Sequence, residues 1–254
     1  MRKPAVLLLL LVVTAADPSP AATSEVAVRV EQAVVSGNLE TLESIRTSLL
    51  QEMKTGTSDA LRYDIAYVGW RMAQLLQVSS KKKAKQLLKE SQAYVDDILE
   101  GNKDDGEAWA LRGSVIGDRI TGMFSAMFLG PKAGGSLKRA VELAPDNPRV
   151  ALQRGIGWFF TPKTFGGGME NAEGELRRAA RLFDEAPAGG PWPDWGRVDV
   201  LVWLGQVLVK TGRYAEARSN YEAALKIEPD YAWIKQELMP TLEKLETSDP
   251  SSQS

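Results

Sequence analysis

Apolar side chains return along this chain at helical spacing, i, i+3, i+4, in blocks broken by Gly-Asn, Ser-Asp and Asp-Gly dipeptides, and the blocks come in pairs. Over 24–54, Val26, Val30, Ala33 and Val34 form one face and Leu42, Ile45, Leu49 and Met53 another, with Gly37-Asn38 as the turn. Over 58–100, Leu61, Ile65, Val68, Met72, Leu75 and Leu76 precede Ala84, Leu87, Leu88, Tyr94, Val95 and Ile98. The pair 106–145 sets Trp109, Gly113 and Ile116 against Ala133, Leu137 and Ala140, and the pair 148–186 sets Gly155 and Trp158 against Ala172, Leu176, Ala179 and Leu182. A last pair, 198–229, precedes an end helix over 231–246, which Pro240 is expected to kink or restart. The polar stretch 247–254 is expected to be disordered. The pattern predicts an all-α domain over 23–246, built of stacked antiparallel helix pairs, with the first pair as an N-terminal cap.

The pair at 198–229 carries the most specific signature. Leu201, Leu204, Gly205 and Leu208 share a face of its first helix, and Ala217, Tyr221, Ala224 and Leu225 share a face of its second. Gly205 and Ala217 allow the backbones to approach, Gly212 ends the first helix and Pro229 stops the second. These residues resemble a tetratricopeptide (TPR) repeat, a helix-turn-helix unit of ~34 residues. The resemblance implies a right-handed solenoid with a C-terminal capping helix and an inner groove lined by first helices. Measured against that unit, the pair 106–145 holds about eight surplus residues within Ile116–Gly135, and the pair 148–186 about five within Thr161–Gly168. Turns between first and second helices lie along one edge of a solenoid, so the two insertions are expected to be neighbours.

Composition then narrows the function classes. The 254 residues include no histidine and no cysteine, which removes the commonest general base, the commonest transition-metal ligand and any thiolate. A net charge of −2 lacks the basic excess that nucleic-acid binding needs. Glu170, Glu173, Glu175, Asp184 and Glu185 are the nearest carboxylates to a hydrolytic set, and their spacing reads as a solvated helix face. The chain is therefore expected to be no enzyme and to carry no cofactor or metal. Arg2 and Lys3, the apolar run Ala5–Val13 and small residues near Ala22 read as a signal peptide over 1–22, with export to a bacterial periplasm or medium. No cysteine follows for lipid attachment, and no later segment reads as a membrane span.

Two surfaces are candidates for binding. The resemblance maps the inner groove to Ala110 and Ser114, to Arg149, Leu152, Ile156 and Phe159, and to Asp199, Val202, Gln206 and Lys210, a largely apolar set suited to a protein or peptide partner. The insertions bring Phe124, Phe128, Phe159, Phe160 and Phe165 near the glycines of Gly166-Gly167-Gly168, which suggests an apolar pocket for a small ligand, rimmed by free backbone amides. The plainer reading has these aromatics filling the gap that the insertions open. The turn Pro162-Lys163-Thr164-Phe165-Gly166-Gly167 also resembles one in exported bacterial TPR proteins, including the T-component of TRAP transporters, which implies a transporter-associated role. That family is lipid-anchored, and this chain departs from it in lacking the anchoring cysteine. Trp192 and Trp195, in a Pro- and Gly-rich linker, are expected to cover hairpin ends, and Lys81-Lys82-Lys83 reads as a solvated face.

Overall fold

A computed structural model describes residues 25–186 and 196–248. The expected signal peptide and the linker tryptophans Trp192 and Trp195 lie outside the described residues. Among those described, every regular element is helical: α1 (Glu25–Val35), α2 (Leu39–Glu52), α3 (Asp59–Leu76), α4 (Lys81–Gly101), α5 (Gly106–Asp118), α6 (Met123–Leu143), α7 (Pro148–Phe160), α8 (Met169–Glu185), α9 (Arg197–Lys210), α10 (Tyr214–Ile227) and α11 (Met239–Ser248). They form an all-α solenoid in which α3 packs on α4, α5 on α6, α7 on α8 and α9 on α10.

Local chemistry sets where the helices start. Ser58, Asp105 and Asn147 sit at N-caps of α3, α5 and α7, and each side chain accepts a backbone N–H of the first turn. Pro148 follows Asn147 at the first helical position, where a missing N–H costs nothing. Gly37 (φ 67°) and Gly212 (φ 76°) take the left-handed conformation that turns α1 into α2 and α9 into α10. Within the last pair, a Cβ on Gly205 would lie 2.2 Å from Cε1 of Tyr221, so the ring occupies the place a side chain would need. Gly113 and Gly155 meet Leu137 and Leu176 in the same manner.

The first helices run parallel, as their cross-links show. Tyr63 near the start of α3 bonds Glu107 near the start of α5, and Trp70 and Gln74 further along α3 bond Asp118 at the end of α5. Asn147 and Arg149, opening α7, reach back to the same Glu107. The ends of α3, α5 and α7 therefore share one edge of the solenoid, and their starts share the opposite edge.

Three expectations are corrected. The hairpin α1–α2 is more than an end cap, because Val35 packs in one cluster with Val202, Leu208, Tyr221, Tyr231 and Ile234, and Gly37 lies against Ala232. The solenoid thus curls until its first helix meets its last repeat. The surplus residues of the third pair do not form a loop; they extend α6 to 21 residues, with Pro131 inside it. At the C-terminus, the π-helical turn Ile234–Leu238 runs straight into α11. Pro240 lacks the N–H that would close an α-turn there, and a widened turn accommodates its ring. Thr247 and Ser248, expected in a disordered tail, close α11 with their hydroxyls on carbonyls of the preceding turn.

Candidate functional site

The inner surface divides into a sealed half and an open half. In the sealed half, Arg71 on α3 donates from Nη2 to Glu31 on α1 (2.8 Å) and to Asp199 on α9 (3.3 Å). The Tyr67 hydroxyl donates to Glu31, and the Tyr231 hydroxyl donates to Asp199 at 3.0 Å. Two carboxylates and one guanidinium thereby tie α1, α3, α9 and the chain after α10 together. Burial raises the Glu31 carboxyl to about 7; Asp199 adds to the rise, while Arg71 and the Tyr67 bond oppose it. Burial opposes charge on Arg71 too, yet Glu31 and Asp199 hold it protonated, with its pKa above the ordinary arginine value. A second buried knot joins α5 to α7: Arg149 donates from Nε and Nη2 to Glu107 at 3.0 and 2.5 Å, and Asn147 joins them. Ser114 donates to Gln153 at 2.6 Å.

This sealing removes much of the expected groove. Leu152 and Val202 are buried in core clusters, Ala110 is buried, and Arg149 and Asp199 are consumed by the knots. Gln206 spends its amide N–H on the Tyr221 hydroxyl at 3.1 Å. A cavity of about 10 Å³ remains between Tyr63, Tyr67, Trp70 and Arg149, room for one water and no peptide.

The open half lies one turn further along the same helices. Ile156 is half-buried and packs on the core, and beyond it Phe159 and Phe160 meet edge to face with ring centroids 5.0 Å apart. Trp203, four residues beyond Asp199 on α9, contacts both rings at 5.4 and 5.6 Å, and Trp233 continues the row at 5.9 Å from Trp203. Phe160 is 67% exposed and Trp233 38%, so the row is a supported aromatic platform with solvent above it. Sequence reasoning named Phe159 and Phe160 and missed Trp203 and Trp233. The helical stripe through Asp199 and Gln206 passes over Trp203 and could have signalled it; Trp233 had no such signal. The polar knots had none either, because Arg71 and Asp199 are 128 residues apart.

The pocket expected between the insertions is not assembled. Phe124, Phe128 and Phe165 stand exposed and do not fill the gap. The amides of Gly166, Gly167 and Gly168 are already used, donating to the carbonyls of Lys163, Pro162 and Trp158 at 3.0, 3.2 and 3.0 Å. The turn folds on itself so tightly that a Cβ on Gly167 would lie 2.2 Å from the Thr161 carbonyl oxygen. Of the α8 carboxylates, Glu173 pairs with Arg177 and Arg213, Glu175 with Arg178 and Asp184 with Arg197, while Glu170 stands exposed at the helix start. Partial burial would raise the Glu173 pKa, but the bonds from both arginines bring it below the usual carboxylate value.

Residues 198–231 match the tetratricopeptide repeat family model. Among solved structures, a thermophilic TPR protein of Thermus thermophilus is similar, with a TM-score of 0.58 at 16% identity, over 87% of this chain and 96% of that one. The HusA haemophore of Porphyromonas gingivalis is similar with a TM-score of 0.57 at 19% identity, over 74% of this chain and 95% of that one. No curated protein sequence matches. Residues 198–231 carry a TPR repeat, and the fold is that of TPR solenoids.

Proposed function

We propose that this chain is an exported, non-catalytic bacterial scaffold, and that it binds an extended segment of a protein partner on the platform of Phe159, Phe160, Trp203 and Trp233. The platform carries the reading. Its rings are pinned by one another, so little side-chain entropy is lost on contact, and rigid aromatic anchors of this kind dominate binding at interfaces. Export rests on the charged and apolar residues of 1–22. Absence of catalysis rests on a composition without histidine or cysteine and on carboxylates engaged in ion pairs. A small apolar ligand between the glycine-rich turns is the weaker alternative, since the amides it would need are spent.

A displayed library of random peptides tests the proposal. Selected peptides are expected to carry apolar or aromatic anchors and to lose about tenfold or more in affinity on Phe160→Ala. Selection of no peptide, or of peptides indifferent to Phe160→Ala and Trp233→Ala, would overturn the platform as the binding surface. Native mass spectrometry of the purified protein addresses the alternative, which expects a small-molecule mass that leaves on denaturation.

A further inference from the structure

Most of the exposed large apolar side chains gather in one part of the solenoid, with Val28, Ile227 and Trp233 elsewhere. Val78 and Phe165 lie in the turns that join α3 to α4 and α7 to α8, and Met123, Phe124, Met127 and Phe128 lie on the first two turns of α6, just after the turn from α5. Since α3, α5 and α7 run parallel, these turns form one edge. Exposure there is nearly complete, 94% for Val78, 84% for Phe124 and 80% for Phe165, so these side chains protrude. A protein hot spot needs rings seated in packed pockets, whereas a fluid surface accepts protruding ones.

Charge gives the edge a chemistry. The turns 77–85, 119–133 and 161–169 contain no Asp or Glu and hold Lys81, Lys82, Lys83, Lys85, Arg119, Lys132 and Lys163, with Asp118 and Glu170 at their borders, in a chain whose acids outnumber its bases. Within them Lys81, Lys82, Lys132 and Lys163 are exposed and make no ion pair among the described residues. Lys81, Lys82 and Lys83 open α4 with no acid in its first turn and no side-chain cap from Ser80, an arrangement that opposes the helix dipole; Lys83 pairs with Glu43 on α2, which leaves Lys81 and Lys82 for the edge. The opposite edge is mixed in charge, with Asp104 and Glu142 paired to Arg139 and Asp230 paired to Lys235. No helix among the described residues is long and apolar enough to cross a membrane.

We infer that this edge docks on an anionic lipid bilayer, its lysines meeting headgroups and its Phe and Met side chains entering the interface. The surface adjoins the aromatic platform at Phe160, the last residue of α7, but its lysines and the side chains of α6 lie outside that platform, and the inference does not rest on the peptide-binding reading. Lys81 and Lys82, read from sequence with Lys83 as a solvated face, here become part of the docking edge.

Co-sedimentation of the full chain with phosphatidylcholine vesicles, with and without a one-third fraction of phosphatidylglycerol, tests the inference. Wild-type protein is expected to sediment with the anionic vesicles and far less with the neutral ones. The double variant Phe124→Glu/Phe128→Glu should lose about tenfold or more of the anionic binding, and Lys81→Glu/Lys82→Glu a similar factor. All variants keep the same N-terminus, so any contribution of 1–22 cancels in the comparison, and matched thermal midpoints check that the exposed substitutions leave the fold intact. Equal sedimentation of wild type and variants would overturn the inference. So would a wild-type dimer that Phe124→Glu/Phe128→Glu converts to monomer without changing vesicle binding, because the edge would then be a contact between copies of this chain.

Discussion

The two halves of the inner surface are built from the same helices and do opposite things. On α9, Asp199 is locked between Arg71 and Tyr231, while Trp203, one turn on, stands in a row of rings open to solvent. On α7, Arg149 and Leu152 are buried, while Phe160 at the helix end is largely exposed. A solenoid built of short helix pairs leaves its groove open unless something closes it, and here α1 and the segment after α10 close half of it. What remains for a partner is the margin, where the rings are held in place from beneath.

The comparison is broken most severely from the sealed side. Arg71→Ala leaves Glu31 and Asp199 facing one another without their cation, and removing one partner of a buried ionic knot costs about 3–5 kcal/mol. Thermal unfolding should fall by roughly 10 °C for a chain of this size, and hydrogen exchange in α1 should rise first. Gly205→Ala forces a methyl into the Tyr221 ring and is expected to cost about 1–3 kcal/mol by the same measurement.

Glu31 sharpens the comparison through pH. Its folded-state pKa of about 7 lies above the ordinary glutamate value of 4.5, so between those values the folded chain holds a proton that the unfolded chain has lost. Its contribution to stability is therefore full below the lower value and declines as pH rises through the higher one. Glu31→Gln should flatten that part of the profile, by a few degrees in midpoint, seen in melts taken across the window. Asp118, raised by burial despite bonds from Trp70 and Gln74, leaves a residual slope of the same sign. The smallest effect on the fold belongs to the open side. Phe160→Ala should shift stability by no more than about 0.5 kcal/mol, while costing about tenfold in peptide affinity.

The legible and illegible parts of the molecule separate by range. Periodicity, caps and the Gly205–Tyr221 pairing are encoded within a few turns, and with them the all-α solenoid of helix pairs could be read from sequence. The surplus of the third pair was legible as length but not as a helix extension, for α6 runs through Pro131, a residue that ordinarily interrupts a helix. Phe159 and Phe160 were found because apolar side chains at helix ends stand out. Closure by α1 was not legible: Glu31, Arg71, Asp199 and Tyr231 each look like ordinary polar positions on their own helix, and only curvature summed over the whole array brings them together. The free amides expected at Gly166-Gly167-Gly168 failed for a local reason, because the tight turn satisfies its own donors.

A disulfide lock tests the central claim, that the groove is closed and its margin does the binding. The chain has no cysteine, and a Cβ at Gly37 would lie 3.8 Å from that of Ala232, within disulfide reach. In Gly37→Cys/Ala232→Cys, a side chain at positive φ costs about 1–2 kcal/mol, which the cross-link offsets. Peptide affinity would be measured on the oxidised and reduced forms of this one protein. Equal affinities, still lowered by Phe160→Ala, are the predicted result. Loss of binding on oxidation with recovery on reduction would show that the partner enters the interior, and would contradict the account.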